Sequence, residues 1–201
     1  MEKAINRIKK SMVGTLLLLG FGCLVLSIHP LYDEKTLVEA PEILGVWAPV
    51  KEAKADEIWQ FRSAGKFAND FIFTDGDGLR GTFKAHVVQL GEHRFLDLYP
   101  EAETLSGKTA GVYSWHLIAA HTFYRVWVAD DKLHLSPLDL KWVEDGVRSG
   151  GIQIDHLWAD GQIVLTADTK TLQRFVVENV DEAFSDADIL RRLETQPGNR
   201  E

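Results

Sequence analysis

From Leu44 to Thr166 the chain is a succession of short segments rich in β-branched and aromatic residues, set apart by turn chemistry. Spacing of that kind restricts the fold to a meandering antiparallel sheet or barrel. Residues 44–48 open the series. In 57–62, Ile58 and Gln60 alternate with Trp59 and Phe61. Residues 67–74 run into Asp75-Gly76-Asp77-Gly78, and 79–90 form a long strand. On that strand Leu79, Phe83, Ala85 and Val87 share one face, and Arg80, Thr82, Lys84 and His86 the other. The apolar phase switches at Val88 and Leu90, which predicts a bulge near Val87. Gly91-Glu92 turns the chain into 93–99. Further strands are expected over 112–119, 122–129 and 132–135, the last pair joined at Asp130-Asp131. Residues 152–158 and 162–166 flank Asp160-Gly161, a two-residue hairpin signal.

Helical periodicity enters late. Ser136-Pro137-Leu138-Asp139 has the form of a helix start, with a Ser cap and Pro at the first position, and predicts a short helix ending near Gly146. Asp168 caps a segment in which Leu172, Phe175, Val176, Val180 and Phe184 follow the spacing of one buried stripe. Ser185 and Asp188 open a second short helix bearing Ile189, Leu190 and Leu193.

The N-terminus is of another character. Lys3, Arg7, Lys9 and Lys10 against Glu2 give it a net charge of +3, and an uncharged stretch extends from Ser11 to Ile28. Basic residues before an apolar run stay on the cytoplasmic side, so the remainder is expected outside the cytoplasm. The run is 18 residues long, at the short edge of the ~17–25 that span a bilayer. Three readings are open: a lipoprotein signal cut before Cys23, an uncleaved anchor, and an ordinary signal cut near Ser27. Cys23 is the single cysteine of the chain. The chain from His29 onward therefore has neither a disulfide nor a thiol nucleophile and must fold on its apolar core. The whole chain carries −8 and the leader +3, leaving −11 for the rest. Such an acidic domain is unsuited to nucleic acid, whose binding rests on phosphate neutralisation. The expected division is 1–28 signal or anchor, 29–43 a tether with Pro30, Pro41 and Asp33-Glu34-Lys35, 44–196 one β-rich domain, and 197–201 a frayed tail.

Leu44-Gly45-Val46-Trp47 is similar to the first-strand mark of lipocalins, in which the Trp closes the barrel floor. Arg125, between Phe123 and Trp127, is a candidate to stack on an aromatic ring as the lipocalin arginine does. A wider likeness covers nearly the whole chain. Ser27-Ile28-His29-Pro30-Leu31-Tyr32 after Cys23, then Leu44-Gly45-Val46-Trp47, resemble a family of uncharacterised bacterial envelope lipoproteins. Phe83-Lys84-Ala85-His86, Arg94-Phe95-Leu96-Asp97-Leu98, His121-Thr122-Phe123, Asp139-Leu140-Lys141-Trp142 and Leu165-Thr166-Ala167-Asp168 extend it. The resemblance implies a domain in the bacterial cell envelope, anchored to the membrane by lipid on Cys23. It implies no activity.

Catalytic constellations are not legible. No nucleophile elbow, phosphate-cradling glycine loop or His-Glu-x-x-His is present. Asp75-Gly76-Asp77-Gly78 fits a hairpin turn better than a calcium loop, whose twelfth position would fall on His86 instead of a glutamate. His116 and His121 lie on or beside neighbouring predicted strands and could approach each other. Asp97 shares a strand face with Phe95 and Tyr99 and is expected to point outward. The aromatics are the better candidates: a barrel holding Trp47, Trp59, Phe71, Trp115, Phe123, Arg125 and Trp127 could bind a small apolar ligand. The expectation is therefore a lipocalin-like antiparallel β-barrel or curved sheet with C-terminal helices. It is not expected to be an enzyme or to hold a metal or cofactor. Its partners would be a membrane, an apolar ligand, or another envelope protein bound by surface contact.

Overall fold

The computed structural model describes residues 24–101 and 118–194. Its centre is a closed antiparallel barrel of eight strands. Seven succeed one another as a meander: β2 (Gly45–Pro49), β3 (Ile58–Ser63), β4 (Asn69–Thr74), β5 (Arg80–Leu90), β6 (His93–Pro100), β7 (Thr122–Ala129) and β8 (Lys132–Pro137). The eighth, β11 (Asp188–Arg192), pairs antiparallel with both β8 and β2 and closes the cylinder. The lipocalin-like barrel read from the sequence is thus the fold, with α1 (Leu140–Ser149) and α2 (Thr169–Glu178) between β8 and β11. The same insertion carries the hairpin β9 (His156–Ala159) and β10 (Gln162–Leu165), against which β1 (Leu26–Ser27) adds a parallel strand.

Two apolar layers hold this together. Trp47, Trp59, Phe61, Phe71, Phe73, Ala85, Val87, Leu96, Tyr124, Val126, Leu133, Leu135 and Leu190 fill the barrel. Val88, Leu90, Phe95 and Phe123 face the other way and pack under Leu172, Phe175 and Val176 of α2 and Ile163 and Leu165 of β10. Each large apolar side chain so buried contributes roughly 1.5–3 kcal/mol. This two-sided burial explains the phase change in β5. Its register with β6 runs unbroken from Phe83↔Pro100 to Leu90↔His93, so the expected bulge near Val87 is absent. Val87 points into the barrel, and Val88 and Leu90 point out of it into a second core.

The tight turns obey their chemistry. Asp160 and Gly161 both take positive φ, 49° and 86°, as a two-residue hairpin of this hand requires, and Asp130-Asp131 does the same at 50° and 56°. At the 75–78 turn, the Asp75 carboxyl accepts from Asp77 N–H at 3.0 Å and Leu79 N–H at 2.8 Å. Asp168 caps α2 by accepting from Thr171 N–H at 2.9 Å.

Three expectations are corrected. Ser136 and Pro137 belong to β8, and the cap of α1 is Asp139, which accepts from Trp142 N–H at 2.8 Å; the helix runs on to Ser149 and stops at left-handed Gly150. Residues 188–192 are a strand, not a helix, because the gap between β8 and β2 is filled only by an extended segment whose Leu190 enters the barrel core. Residues 29–43 are no free tether: Leu31 is fully buried, Thr36 and Val38 bond to the backbone of β5, and Asp33-Glu34-Lys35 forms a side-chain-capped turn. The folded domain also reaches back into the apolar run, since Val25 and Ser27 are buried.

Candidate functional site

Among the described residues, the barrel is closed at one end and carries an apolar opening at the other. At the closed end lie the 63–69, 91–92 and 130–131 turns and the 3-10 turn Pro41–Ile43. There Trp47, fully buried, donates from Nε1 to Ile43 O at 2.8 Å. The Arg192 guanidinium sits 4.1 Å from the Trp47 ring centre and donates to Leu44 O at 2.5 Å and Glu42 O at 2.9 Å. The arginine over the first-strand Trp is therefore Arg192, while Arg125 lies over an aromatic ring of its own, that of Trp127, at 5.7 Å on the outer wall. Gly45 is required beside Arg192: φ is 128°, and a Cβ there would meet the guanidinium at 2.4 Å.

At the opposite end an apolar cavity of about 340 Å³ opens between Trp59, Phe71, Phe83, Leu98, Pro100, Thr122 and Tyr124, with Ile118, Ala119 and Ala120 on one side and Leu24 and Leu26 on another. Its size falls near the small end of the ~300–1,000 Å³ usual for ligand sites. Trp59 and Phe71 form the base, their rings 5.4 Å apart, and Phe71 stacks on Phe61 at 4.7 Å. Tyr124 is buried in its wall, and burial, with Asp188 nearby, pushes its hydroxyl pKa well above the ordinary value.

The sequence-predicted ligand residues divide among four places. Trp47, Trp59 and Phe71 are inside the barrel. Only Trp59 and Phe71 of these line the cavity. Phe123 is buried outside the barrel beneath the helices. Arg125 and Trp127 line a separate notch of about 380 Å³ beside Glu42, Glu92, His93 and Arg94. That notch lies past Phe95↔Arg125, where the β6–β7 pairing ends. Trp115, like Cys23, His116 and most of the strand expected over 112–119, lies outside the described residues.

A polar pair, Asp97 and His121, supports the cavity wall that Leu24 and Leu26 provide. Asp97 does point away from the barrel interior, as expected, yet it is not an ordinary surface acid: it is completely buried. One carboxyl oxygen accepts from Leu31 N–H at 2.7 Å, and the other lies 2.7 Å from His121 Nδ1. His121 in turn pairs through its backbone with Ser27, at 2.8 and 2.9 Å, while its neighbours Ala120 and Thr122 face the cavity. The strap formed by residues 24–38 is further held by Gln162 Nε2 on Leu24 O, Thr169 Oγ1 on Pro30 O and Gln173 Nε2 on Leu31 O. Tyr32 stacks on His86 with ring centres 4.3 Å apart, and Tyr99 lies 4.6 Å from the His121 ring. Burial lowers the His86 pKa, with His121 and Lys84 adding to the effect and Asp97 opposing it. Burial also raises the Tyr32 pKa, helped by Asp97 and Tyr99. Paired Asp and His elsewhere in chemistry can move protons, but here Asp97 binds the strap with one oxygen and His121 with the other. Among the described residues no group of three or more His, Cys, Asp or Glu could hold a metal ion.

Compared with known proteins, the chain matches no family model, no curated protein and no solved structure. Among the described residues, no helix is long and apolar enough to cross a membrane.

Proposed function

We propose that this protein is an exported, membrane-anchored lipoprotein of the bacterial envelope whose barrel binds a small apolar ligand at its open end. The observation that carries the reading is the cavity over Trp59 and Phe71: its walls are almost wholly apolar, and it continues the core of the barrel instead of lying on its surface. Attachment through Cys23 rests on the leader and on the envelope-lipoprotein resemblance. It is supported by the place of β1 in the fold, because a cut near Ser27 would remove β1 from its sheet. We read the domain as non-catalytic, with the Asp97–His121 pair holding the strap.

The test is native mass spectrometry of the full chain extracted from its own envelope fraction, beside Thr122→Trp, which fills the cavity. A co-purified mass that disappears in Thr122→Trp is the expected result, with an acyl mass on the N-terminal fragment. Absence of any such mass, or its persistence in Thr122→Trp, refutes the ligand reading. A second reading, an assembly protein working by surface contact, is favoured by the close packing of the closed half around Trp47 and Phe61. It predicts a bound envelope protein in place of the small mass.

A further inference from the structure

We propose that the open end of the barrel lies against a lipid bilayer and that the cavity takes an acyl chain directly from it. This deepens the ligand reading above and rests on it. The first support is chain geometry. The uncharged run that starts at Ser11 reaches Cys23, and the next residue, Leu24, is already part of the cavity wall. Consecutive Cα atoms are about 3.8 Å apart. With Leu24 onward in the fold, the uncharged residues from Ser11 to Cys23 are too few for the ~17–25 of a spanning helix; met through an acylated Cys23, the membrane attachment is one residue from the cavity. Leu24 has no slack with which to swing the mouth away. Its carbonyl accepts from Gln162 at 3.1 Å, it bridges Asp139, and Val25 beside it is 2 % exposed.

The surface around that end agrees. Leu79 is 69 % exposed on the β4–β5 loop, Val50 is 48 % exposed on the β2–β3 loop, and Ile118 on the cavity rim is 81 % exposed. Isolated exposed apolar residues are ordinary; three on the loops of one end, around an apolar opening and beside the membrane attachment, describe a contact face. The charges between them are of both signs and in acidic excess, with Lys51, Lys54 and Arg80 set against Glu52, Asp56, Glu57, Asp75 and Asp77. The face is therefore built to meet the apolar layer of a bilayer, with no preference for anionic headgroups. A chain leaving the bilayer at this point enters the cavity past Leu24 and Leu26 without crossing water.

Site-specific photocrosslinking tests this in the full chain in its native membrane, with a benzophenone side chain at Leu79, at Ile118, or at Glu92 on the closed end. Lipid adducts at Leu79 and Ile118 and none at Glu92 are expected. Adducts of equal yield at Glu92, or none at Leu79 and Ile118, overturn the orientation. The Thr122→Trp measurement separates the two layers. A Thr122→Trp-sensitive ligand without adducts at Leu79 leaves the cavity reading standing and refutes the bilayer contact. Adducts at Leu79 without any co-purified ligand refute the cavity reading and the chain transfer built on it.

Discussion

Asp97→Ala is the substitution with the largest expected effect for its size. The wild-type carboxyl is fully buried and accepts two bonds of 2.7 Å, from Leu31 N–H and from His121 Nδ1. Alanine removes both acceptors and puts nothing in their place. A buried donor left without a partner costs about 1–3 kcal/mol. Two of them give about 2–6 kcal/mol, a range that spans the ~3–5 kcal/mol for breaking one side of a buried ion pair. Asp97→Asn keeps the shape: its carbonyl can still accept from Leu31, and its amide can donate to the other tautomer of His121. That variant is expected to lose only about 1–2 kcal/mol. Urea unfolding followed by tryptophan fluorescence in a mild detergent gives the ordering, read from midpoints at constant slope. Limited proteolysis locates it, with the strap cut first. In a cycle with His121→Ala, a coupling of about 0.5–3 kcal/mol is expected for groups in contact. If Asp97→Ala unfolds within about 0.5 kcal/mol of wild type, a value typical of ordinary surface changes, the strap is not held by this carboxyl. Equal losses in the two Asp97 variants would show that the bond geometry is irrelevant.

His86 gives a pH dependence of known sign. Its folded pKa is lowered, chiefly by burial, so near and below the unfolded value of about 6.5 the unfolded chain binds more protons. Stability is therefore present above that value and is lost as pH falls toward the folded pKa. The urea midpoint should drop between about pH 7 and pH 5, and His86→Gln should flatten the profile; identical slopes would exclude His86 as the source. Arg192→Ala should cost about 1 kcal/mol and move Trp47 emission, with Arg192→Lys failing to restore it because lysine lacks the planar fork that reaches both carbonyls. A chain beginning at Ile28 should be about 3 kcal/mol less stable than one beginning at Leu24, from the burial of Val25 and two backbone bonds to His121. For a chain of this size that is a fall of roughly 6–12 °C in Tm, and equal melting would mean that β1 is not integral.

The barrel was legible because its strands obey local rules. Asp160-Gly161 and Asp130-Asp131 specify their turns by backbone preference alone, and Trp59 and Phe61 alternate with Gln60 and Arg62 as a half-buried strand should. Legibility ended wherever a residue's role depends on something distant. Val88 and Leu90 looked like a slip of register because a sequence does not say that a helix will cover the outside of that strand. Ile189, Leu190 and Leu193 have helical spacing, but the vacancy between β8 and β2 selects an extended chain. Arg192 is 145 positions from Trp47, and no local pattern links them.

Asp97 shows most clearly why the supporting cluster escaped a strand-face argument. Strand faces offer two outcomes, inside the barrel or in water, and Asp97 occupies a third. It faces outward and is sealed by the strap, whose own ordering requires an acceptor at that spot for the Leu31 N–H. Carboxyl and strap specify each other: an acid on the outer wall is tolerated because the strap and His121 bond to it, and the strap lies down because the acid is there. The same bond fixes His121, and through its backbone Ser27, so that Leu26 on one side and Thr122 on the other are set at the cavity. A buried polar group in this protein is thus a positioning device for an apolar site. The groups that hold the strap to β6, Leu31 N–H and His121 on the Asp97 carboxyl, lie outside the lining of the cavity.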